Sequence, residues 1–349
     1  MAIQQQRKAL VFIAAGLGDA ILLIPLARLL RQQGYSVTAI VTSPFPCEQL
    51  FEGTAVFDHL IIARTRARKA WLALKEYRNY QLAIVNYFAA NRSNLMLAKQ
   101  MATMVHANRV PEGASSKLES GIVFFKPKPG IPDAEQNILL AGLGAVAWTE
   151  ALLHIPRPER NSIPLPSGFL ALQISANHNK ETYKNWPVAH WISFLKRCKT
   201  TFPALHFVLL GDISETALGE EVLRADTGNV QSLIGKTTIT QAAEVIGKSS
   251  LFVGLDGGLM HIAAAQGIPT FTLWGPSNPL LYGYEQLNPR NNKICSLQLS
   301  CSPCSAWISP NTSRYAKPED CPTRECLADL PPARVFTEFS TFAKTHALV

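Results

Sequence analysis

FVGLDGGLMHIAAAQGIPTFTLWGPSNP, residues 252–279, is the stretch that decides the fold of this chain. It opens as an apolar strand and breaks at the Asp-Gly-Gly turn of residues 256–258. A helix of small residues is predicted at 259–265, because a glycine and a proline follow it closely. A second strand is predicted at 270–274. A strand, a glycine turn, a helix and a strand in succession are typical of parallel α/β sheets.

The glycine turn indicates a ligand site. Gly257 and Gly258 place almost no bulk at the helix N-terminus, where unpaired N–H groups and the helix dipole favour an anion such as phosphate. An isolated glycine pair more often marks only a tight turn. Here Asp256, His261 and the segment Gly-Pro-Ser-Asn-Pro accompany the pair, so we favour the ligand site.

Length and charge narrow the class of protein. A chain of 349 residues with 47% hydrophobic and 17% charged residues predicts two globular domains. The net charge of +8 predicts an acidic partner. Because the basic residues do not form a tail, a phosphorylated or lipid-linked substrate is favoured over nucleic acid. No apolar run is long enough to span a bilayer, and the first apolar run resembles a buried strand rather than a secretory signal. We therefore expect a cytoplasmic protein.

The first turn of the chain carries a candidate catalytic acid. A predicted strand at 8–14 leads into Gly-Leu-Gly-Asp at 16–19, and a helix is predicted at 20–33. The dinucleotide pattern G-x-G-x-x-G is incomplete, because Ile21 stands where the third glycine is needed. Asp19 remains at the carboxyl end of a parallel strand, where α/β sheets place their ligands. From spacing alone, a helix cap and a catalytic group are equally good interpretations of Asp19.

A basic segment follows the third predicted strand. Six arginines and lysines lie between Arg64 and Arg78, in a sequence that permits a helix. Such a run is commonly a solvated helix face. It is also suited to bind an anionic acceptor, because arginine pairs bidentately with phosphate and carboxylate. The residues alone favour neither interpretation.

Proline composition marks a domain boundary. Residues 155–166 contain four prolines, which exclude regular structure and indicate a linker. Helices are predicted before it at 91–105 and 134–153, and a final helix at 331–346. Strands and helices alternate on both sides of the linker, which predicts an α/β fold with two doubly wound parallel sheets.

Cysteines cluster near the end of the chain. Five of the seven lie within residues 295–326. Cys301 with Cys304, and Cys321 with Cys326, form two close pairs that suit a structural zinc or iron. Unligated cysteines are the alternative, since the second spacing is not the usual C-x2-C; disulfides are disfavoured in the cytoplasm.

Three motifs together resemble glycosyltransferase family 9, the ADP-heptose:lipopolysaccharide heptosyltransferases. They are GLGD at 16–19, KNWPVAHW at 184–191, and the segment from Leu255 to Pro279. The resemblance implies a GT-B fold, in which two Rossmann-like domains face each other. It makes residues 1–160 the acceptor domain and residues 161–330 the nucleotide-sugar domain, and the last helix, within 331–349, often crosses back.

The resemblance also implies roles for individual residues. Asp19 matches the catalytic base, Lys184 a lysine at the donor phosphates, and Glu215 an acid that binds the donor ribose. Further donor contacts are implied for Ser175, Asp256, Gly257, Gly258, Leu259 and His261. Acceptor contacts are implied for Gly18, Arg66, Arg68 and Lys69.

Inverting transfer of a sugar requires a base for the acceptor hydroxyl and a stabilised diphosphate leaving group. Lys184 and the N–H groups of residues 257–259 can stabilise the diphosphate without a metal. One departure concerns Gly257, which replaces a hydroxyl residue usual in the family and removes one phosphate contact.

Three functions are compatible with these residues. The first is transfer of heptose from ADP-heptose to a lipopolysaccharide core acceptor, with the enzyme soluble or peripheral at the inner face of the inner membrane. The second is a family 9 transferase that modifies a protein or uses another nucleotide sugar. The clustered cysteines resemble those of an iron-containing, autotransporter-modifying branch of the family. The third is a nucleotide-sugar binder without turnover, which Asp19 argues against because a binder needs no base.

Overall fold

A computed structural model describes residues 6–348 except 110, 112–117, 119, 129, 145–148, 159–162, 177–181 and 305–319. The chain divides into two compact units, Met1–Ile155 and Pro156–Val349. The division falls at the start of the proline-rich segment. Most of the loop before Lys184 and the centre of the cysteine-rich segment lie outside the described residues.

The first unit contains a six-stranded sheet in the order β3-β2-β1-β4-β5-β6, and every pairing is parallel. Its strands are apolar because helices or the core cover them: Leu10, Phe12 and Ile40 are fully buried. The strands are β1 (Arg7–Ile13), β2 (Tyr35–Val41), β3 (His59–Ile62), β4 (Tyr80–Val85), β5 (Ala102–Ala107) and β6 (Ile122–Phe124).

The described helices of the first unit connect these strands. They are α1 (Leu17–Ile21), α2 (Ile24–Gln32), α3 (Glu48–Phe51), α4 (Arg66–Lys75), α5 (Arg92–Met101), α6 (Asp133–Leu140) and α7 (Glu150–Leu153).

Three predicted helices of this unit are wrong in extent. The helix predicted at 20–33 is two helices, because Pro25 in the first turn of α2 has no N–H to continue a helix from α1. The helix predicted at 91–105 ends at residue 101, where β5 begins and pairs with β4. The helix predicted at 134–153 ends at Leu140, since Gly142 and Gly144 follow with φ of +72° and +77°.

The second unit repeats the topology of the first. Its sheet has the order β12-β11-β10-β7-β8-β9, again parallel throughout. The strands are β7 (Phe169–Leu172), β8 (His206–Leu209), β9 (Asn229–Ser232), β10 (Leu251–Leu255), β11 (Thr270–Leu273) and β12 (Asn292–Cys295). The described α-helices are α8 (Val188–Thr201), α9 (Thr216–Arg224), α10 (Ile239–Lys248), α11 (Gly258–Ala265), α12 (Pro279–Tyr282), α13 (Glu325–Ala328) and α14 (Pro332–Thr345).

Aromatic side chains bind the last helix to the core of this unit. Phe339 of α14 is fully buried and lies edge-on against Phe194 of α8 and Phe271 of β11, with ring centroids 5.2 and 5.7 Å apart. The indole N–H of Trp186 donates to the carbonyl of Leu330 just before this helix, at 3.0 Å. The last helix therefore packs on the core of the second unit.

Each sheet has one point at which the strand order reverses. In the first unit it lies between β1 and β4, and in the second between β7 and β10. Open α/β sheets bind their ligands beyond the carboxyl ends of the strands at such a point. Asp19 follows β1, and Asp256 follows β10. Each of the two acids predicted to act on ligands therefore lies beside a switch point, after the first strand of the first unit and after the fourth strand of the second unit.

Candidate active site

The Asp-Gly-Gly turn of residues 256–258 begins where β10 ends. Gly257 caps α11 with an extended backbone, φ −168° and ψ 173°, and contributes no side-chain cap. Its carbonyl accepts from Met260 at 3.1 Å and from His261 at 3.4 Å. The N–H groups of the first turn, including those of Gly258 and Leu259, precede the first intrahelical bonds and are placed to bind an anion. The predicted strand–turn–helix is confirmed here.

A buried ion pair lies beneath this loop. Asp256 is 7% exposed, and its Oδ2 accepts a hydrogen bond of 2.7 Å from Lys184 Nζ. Burial alone raises the pKa of Asp256, but the Lys184 ammonium and the Ser277 hydroxyl outweigh it, so the pKa lies below its usual value. The carboxylate therefore stays charged and fixes the lysine beside the helix N-terminus. A quarter of the Lys184 side chain remains exposed, which leaves the ammonium able to meet a ligand.

His261 is neutral at physiological pH. Burial lowers its pKa to about 4; the charge of Asp256 opposes this shift and that of Lys184 adds to it. Its Nδ1 lies 2.6 Å from the hydroxyl of Tyr284, whose pKa burial raises well above its usual value. The contact between His261 and Tyr284 fixes the first turn of α11. This geometry fits a buried histidine that stabilises the helix as well as it fits a phosphate contact.

Glu215 and Ser175 come together at the ends of β8 and β7. Glu215 accepts from the backbone N–H of Asp212 at 3.1 Å and bonds the Ser175 hydroxyl. Burial is the main reason that the pKa of Glu215 rises to about 7. The Asn185 amide donates to Ser175 Oγ at 3.2 Å and accepts from the N–H of Ala176 at 3.1 Å. Asn185 therefore joins the loop after β7 to the residue next to Lys184.

All these groups lie at one edge of the second sheet. Strands β10, β7 and β8 are neighbours, so the residues that follow them converge at the switch point. Sequence reasoning missed Asn185, Ser277 and Tyr284 as members of the site. Asn185 and Ser277 lie inside the motifs quoted above, and their polar side chains could have marked them as candidates. Nothing in the sequence marked Tyr284, because only packing brings it to His261.

Asp19 lies in the first turn of α1. Its Oδ2 accepts from the N–H of Gly16 at 3.0 Å, so the carboxylate does act as a local cap. Gly18 stands beside it in the same short helix, and its carbonyl accepts from Leu22 at 3.0 Å. The capping contact uses one oxygen and does not exclude a catalytic role for the other.

A second carboxyl group lies behind Asp19. Asp133, the first residue of α6, is 2% exposed. Burial, together with the charge of Asp19, raises its pKa to about 7, although the Asn137 amide bonds its Oδ2 at 3.3 Å. Asn137 also donates to the carbonyl of Leu22 at 3.2 Å, so this pair connects α6 to the end of α1. No sequence motif marked Asp133.

The basic segment forms α4, but its bases differ in their surroundings. Arg66 and Arg68 are exposed, and Arg68 stacks over the ring of Trp71 at 4.3 Å. Lys69 is half-buried and donates to Ser93 and Asn94 at 3.2 and 2.8 Å, and burial lowers its pKa. Arg64 lies before the helix and pairs with Glu48 at 2.6 Å. The exposed pair is best placed to meet an acceptor.

Of the four cysteines predicted as metal ligands, three lie near the fourth, Cys326. Burial, and then the nearby Cys304, Cys321 and Cys301, raise the pKa of the Cys326 thiol to about 12. The segment packs on the signature stretch: Cys304 N–H donates to Pro276 at 2.9 Å, and the Ser302 hydroxyl donates to Gly275. Four thiols suit zinc or iron. Within the described residues, however, no group of three or more potential ligands is arranged to hold a metal ion.

Comparison with known proteins relates this chain to one family of enzymes. The model of "Glycosyltransferase family 9 (heptosyltransferase)" matches residues 146–313. Lipooligosaccharide heptosyltransferase 2 of Campylobacter jejuni is 24% identical over 295 residues, which cover 78% of this chain and 86% of the relative. Lipopolysaccharide heptosyltransferase 2 of Escherichia coli K12 is 34% identical over 100 residues, 28% of each chain.

Solved structures show the same fold. ADP-heptose lipopolysaccharide heptosyltransferase II of E. coli superimposes with a TM-score of 0.72 at 19% identity, over 97% of this chain and 99% of the other. The two parallel-sheet units of this chain have the GT-B type of fold. The family match and the curated relatives make the chain a glycosyltransferase, and its residues 146–313 match glycosyltransferase family 9, the heptosyltransferase family.

Proposed function

We propose that this enzyme transfers a heptose, with inversion, from ADP-heptose to the core of a lipopolysaccharide acceptor. The observation that carries the proposal is the Lys184–Asp256 ion pair at the open N-terminus of α11. A fixed ammonium and first-turn N–H groups are suited to a diphosphate. The C. jejuni and E. coli relatives, named as lipooligosaccharide and lipopolysaccharide heptosyltransferases, support this choice of donor and acceptor.

The diphosphate is the leaving group of this reaction. As the bond between the sugar and the diphosphate breaks, negative charge grows on the phosphate oxygen. Lys184 and the N–H groups of Gly258 and Leu259 are in place before the reaction and stabilise that charge without reorganising. The positive end of α11 adds to the effect. Glu215 and Ser175, at the ends of the neighbouring strands, are the proposed contacts to the donor ribose and phosphate.

Asp19 is the proposed base. Its carboxylate removes the proton from the acceptor hydroxyl as that oxygen attacks the anomeric carbon. Its position at the switch point of the first sheet supports this role. Gly16 holds one carboxylate oxygen at 3.0 Å, which orients the other. Burial and the charge of Asp19 raise the pKa of the neighbouring Asp133 to about 7.

The acceptor is proposed to be an anionic glycolipid that meets helix α4. Arg66 and Arg68 offer exposed guanidinium groups for phosphate. On the same helix Trp71 is 44% exposed and Leu74 82% exposed, and Tyr77 follows at 61%. Basic and apolar side chains together suit the surface of an anionic membrane. In the described part of the chain, no helix has the length and apolar character needed to cross a bilayer.

A transfer assay with two acceptors tests the acceptor class. Purified enzyme receives ADP-heptose with either a heptose-deficient lipopolysaccharide core or a purified autotransporter passenger protein. Product is followed by mass spectrometry. Heptose on the glycolipid alone supports the proposal. Heptose on the protein alone contradicts it and favours the protein-modifying alternative, for which the clustered cysteines are the motivating observation.

Contact with the membrane is tested by sedimentation with vesicles. The enzyme is expected to sediment with vesicles that contain phosphatidylglycerol and to remain in solution with phosphatidylcholine alone, because lysine and arginine need anionic lipid. Salt at about 0.5 M is expected to release it, since the Debye length then falls to a few ångströms. Equal sedimentation with both kinds of vesicle would contradict an electrostatic contact.

The cysteine cluster is a separate proposal. Cys301, Cys304, Cys321 and Cys326 are proposed to hold a structural iron or zinc, which would fix the segment that packs on Gly275 and Pro276. The proximity of the other thiols to Cys326 supports it. Elemental analysis of purified protein tests it: about one metal per chain, lost in Cys326→Ser, supports the proposal. A metal-free protein that transfers sugar and melts normally contradicts it.

A further inference from the structure

Ser43 is a fully buried residue that follows β2 and lies outside the proposed donor and acceptor contacts. Its hydroxyl donates a hydrogen bond of 2.6 Å to the carbonyl of Ala15. The same oxygen accepts a hydrogen bond of 3.1 Å from the backbone N–H of Phe45. A serine hydroxyl has a single proton, and the N–H of Phe45 occupies one of the acceptor positions of the oxygen. The proton of Ser43 is therefore directed to Ala15.

One peptide group joins Ser43 to Asp19. The carbonyl of Ala15 and the N–H of Gly16 belong to the same planar unit. The carbonyl end accepts from Ser43 at 2.6 Å, and the N–H end donates to Asp19 Oδ2 at 3.0 Å. Because the unit is rigid, a bond that fixes the direction of its carbonyl also fixes the direction of its N–H. The serine hydroxyl and the carboxylate thus hold one peptide group from its two ends.

Hydrogen bonds in such a series strengthen one another. A donor at the Ala15 carbonyl polarises the peptide group, so that the N–H of Gly16 becomes a better donor to the carboxylate. Ser43 itself has no exposed surface and cannot meet a ligand, whereas Asp19 is only half-buried. Any effect of Ser43 on the reaction must therefore pass through another residue, and the peptide group leads to Asp19.

Arg64 holds the loop that carries Ser43. Its Nε donates to the carbonyl of Ser43 at 2.7 Å, and its Nη2 donates to the carbonyl of Phe45 at 3.0 Å. The buried Glu48 pairs with the same guanidinium at 2.6 Å. The N–H of Ser43 donates to Ile13 of β1 at 3.1 Å. The backbone of Ser43 is thus fixed on both sides, which holds its hydroxyl in place against Ala15.

We propose that Ser43 is a positioning residue that orients the carboxylate of Asp19 toward the acceptor hydroxyl through the Ala15–Gly16 peptide group. The inference rests on the proposed function, because it requires Asp19 to be the base. A carboxylate that is oriented in advance need not reorganise before it takes the proton. If Ser43 only closes the turn after β2, its loss lowers stability. If it positions the base, its loss also lowers kcat.

A double-mutant cycle separates the two roles. Ser43→Ala is expected to lower kcat by about 10 to 10² fold, the range for a small misplacement of a reacting group, with KM and ADP affinity unchanged. Added to Asp19→Asn, it should cause no further loss of the residual transfer, because the base is already absent. An unchanged kcat in Ser43→Ala, or equal losses in the two backgrounds, would overturn the positioning role alone. Near-normal transfer by Asp19→Asn would overturn the base and this role together.

Two further variants guard against a loss that comes only from destabilisation. Ser43→Cys keeps nearly the same size with a weaker donor, so its kcat should lie between those of the wild type and Ser43→Ala. It replaces Ser43→Ala in the cycle if the alanine variant does not fold. Ser36→Ala removes another buried hydroxyl at the opposite end of β2 and should leave kcat unchanged. An equal loss of kcat in Ser36→Ala would overturn the proposal.

The amide of Gly16 gives a readout that needs no substrate. Nuclear magnetic resonance of protein with isotopically labelled glycine reports it, and its signal is the one that disappears in Gly16→Ala. That variant is tolerable, because φ is −71° and a Cβ would meet Asp19 Oδ2 at 3.5 Å. Ser43→Ala is expected to move the Gly16 amide proton upfield, as its bond to Asp19 weakens. An unmoved signal would overturn the link to Asp19. A moved signal in an enzyme that does not use ADP-heptose would overturn only the proposed donor.

Discussion

The switch points of the two sheets have the same topology and opposite electrostatics. In the second unit the buried Asp256 has Lys184 at 2.7 Å, and its pKa lies below the usual value. In the first unit the buried Asp133 faces an amide and the charge of Asp19, and its pKa rises to about 7. The same sheet topology thus carries a positively charged group suited to an anion in the second unit and a pair of carboxyl groups in the first.

The difference shows how one fold divides the tasks of glycosyl transfer. A leaving diphosphate needs fixed positive charge, and an attacking hydroxyl needs a carboxylate able to take a proton. Burial alone cannot supply either, because it penalises every charged form. What decides each site is the partner beside the buried carboxyl: an ammonium in the second unit, and an amide with a second acid in the first.

The largest expected effect is at Asp19. Asp19→Asn retains an acceptor oxygen for the N–H of Gly16 and removes the base, whereas Asp19→Ala removes both. We expect both variants to lose transfer by about 10² to 10⁴ fold, the usual contribution of a general base, while ADP affinity is unchanged. Steady-state kinetics and calorimetry measure the two. Near-normal transfer by Asp19→Asn would show that only the cap matters.

The second effect concerns the Lys184–Asp256 pair. Lys184→Met leaves a buried carboxylate without its partner, which is expected to cost about 3 kcal/mol of unfolding free energy. Donor affinity should fall as well. The double variant Lys184→Met/Asp256→Asn removes both charges and should regain most of the stability but not the affinity. Chemical denaturation and calorimetry measure these; recovery of both together would show that the lysine acts only through folding.

The third effect is a dependence of stability on pH that arises from Asp133. Its folded pKa of about 7 exceeds its ordinary value near 4, so the folded state binds the proton more tightly. The resulting stabilisation is complete below about pH 4 and is lost as pH rises through 7. The pKa of Glu215 is also raised, so its contribution to stability changes with pH in the same direction. The pKa of His261 is lowered, so its contribution is lost as pH falls.

Asp133→Asn isolates the first of these contributions. The stability of the wild type relative to this variant is expected to fall between pH 4 and 7, by up to about 4 kcal/mol at about 1.4 kcal/mol per pKa unit. Urea denaturation at several pH values measures it. Glu135→Gln, on the same helix, is the matched control for loss of one carboxyl. A difference that stays constant with pH would contradict the assigned shift.

The smallest effect is at helix α4. The triple variant Arg66→Ala/Arg68→Ala/Lys69→Ala is expected to raise the KM for a phosphorylated glycolipid about tenfold and to leave the Kd for ADP unchanged. The physical reason is the loss of exposed guanidinium groups that pair with phosphate. Arg224→Ala/Lys236→Ala/Lys344→Ala, which removes the same number of positive charges from exposed positions, is the control. A change in ADP affinity alone would refute an acceptor role.

The sequence contained much of the backbone plan and little of the side-chain geometry. Alternation of strands and helices predicted two parallel sheets, and the helix predicted to start at residue 259 after the Asp-Gly-Gly turn starts at Gly258. Helix ends were harder: Gly142 and Gly144 end a helix only because their φ angles are positive, which composition does not reveal. Pairings between distant residues were not predicted: the family resemblance assigned both Lys184 and Asp256 to the donor but did not predict the ion pair between them.

Contacts without a motif could not be found at all. Asp133 lies 114 positions after Asp19 in the chain, and only the folded sheet brings the two charges together. Such relations are set by packing across the switch point, which no local pattern encodes.

Calorimetric titration of the wild-type enzyme with ADP-heptose, with UDP-glucose as the comparison, tests the central claim most directly. The account predicts saturable binding of ADP-heptose that Lys184→Met/Asp256→Asn abolishes, and no binding of UDP-glucose. Preferential binding of UDP-glucose, or ADP-heptose binding that survives in the double variant, would contradict a donor site built on the ion pair at the second switch point.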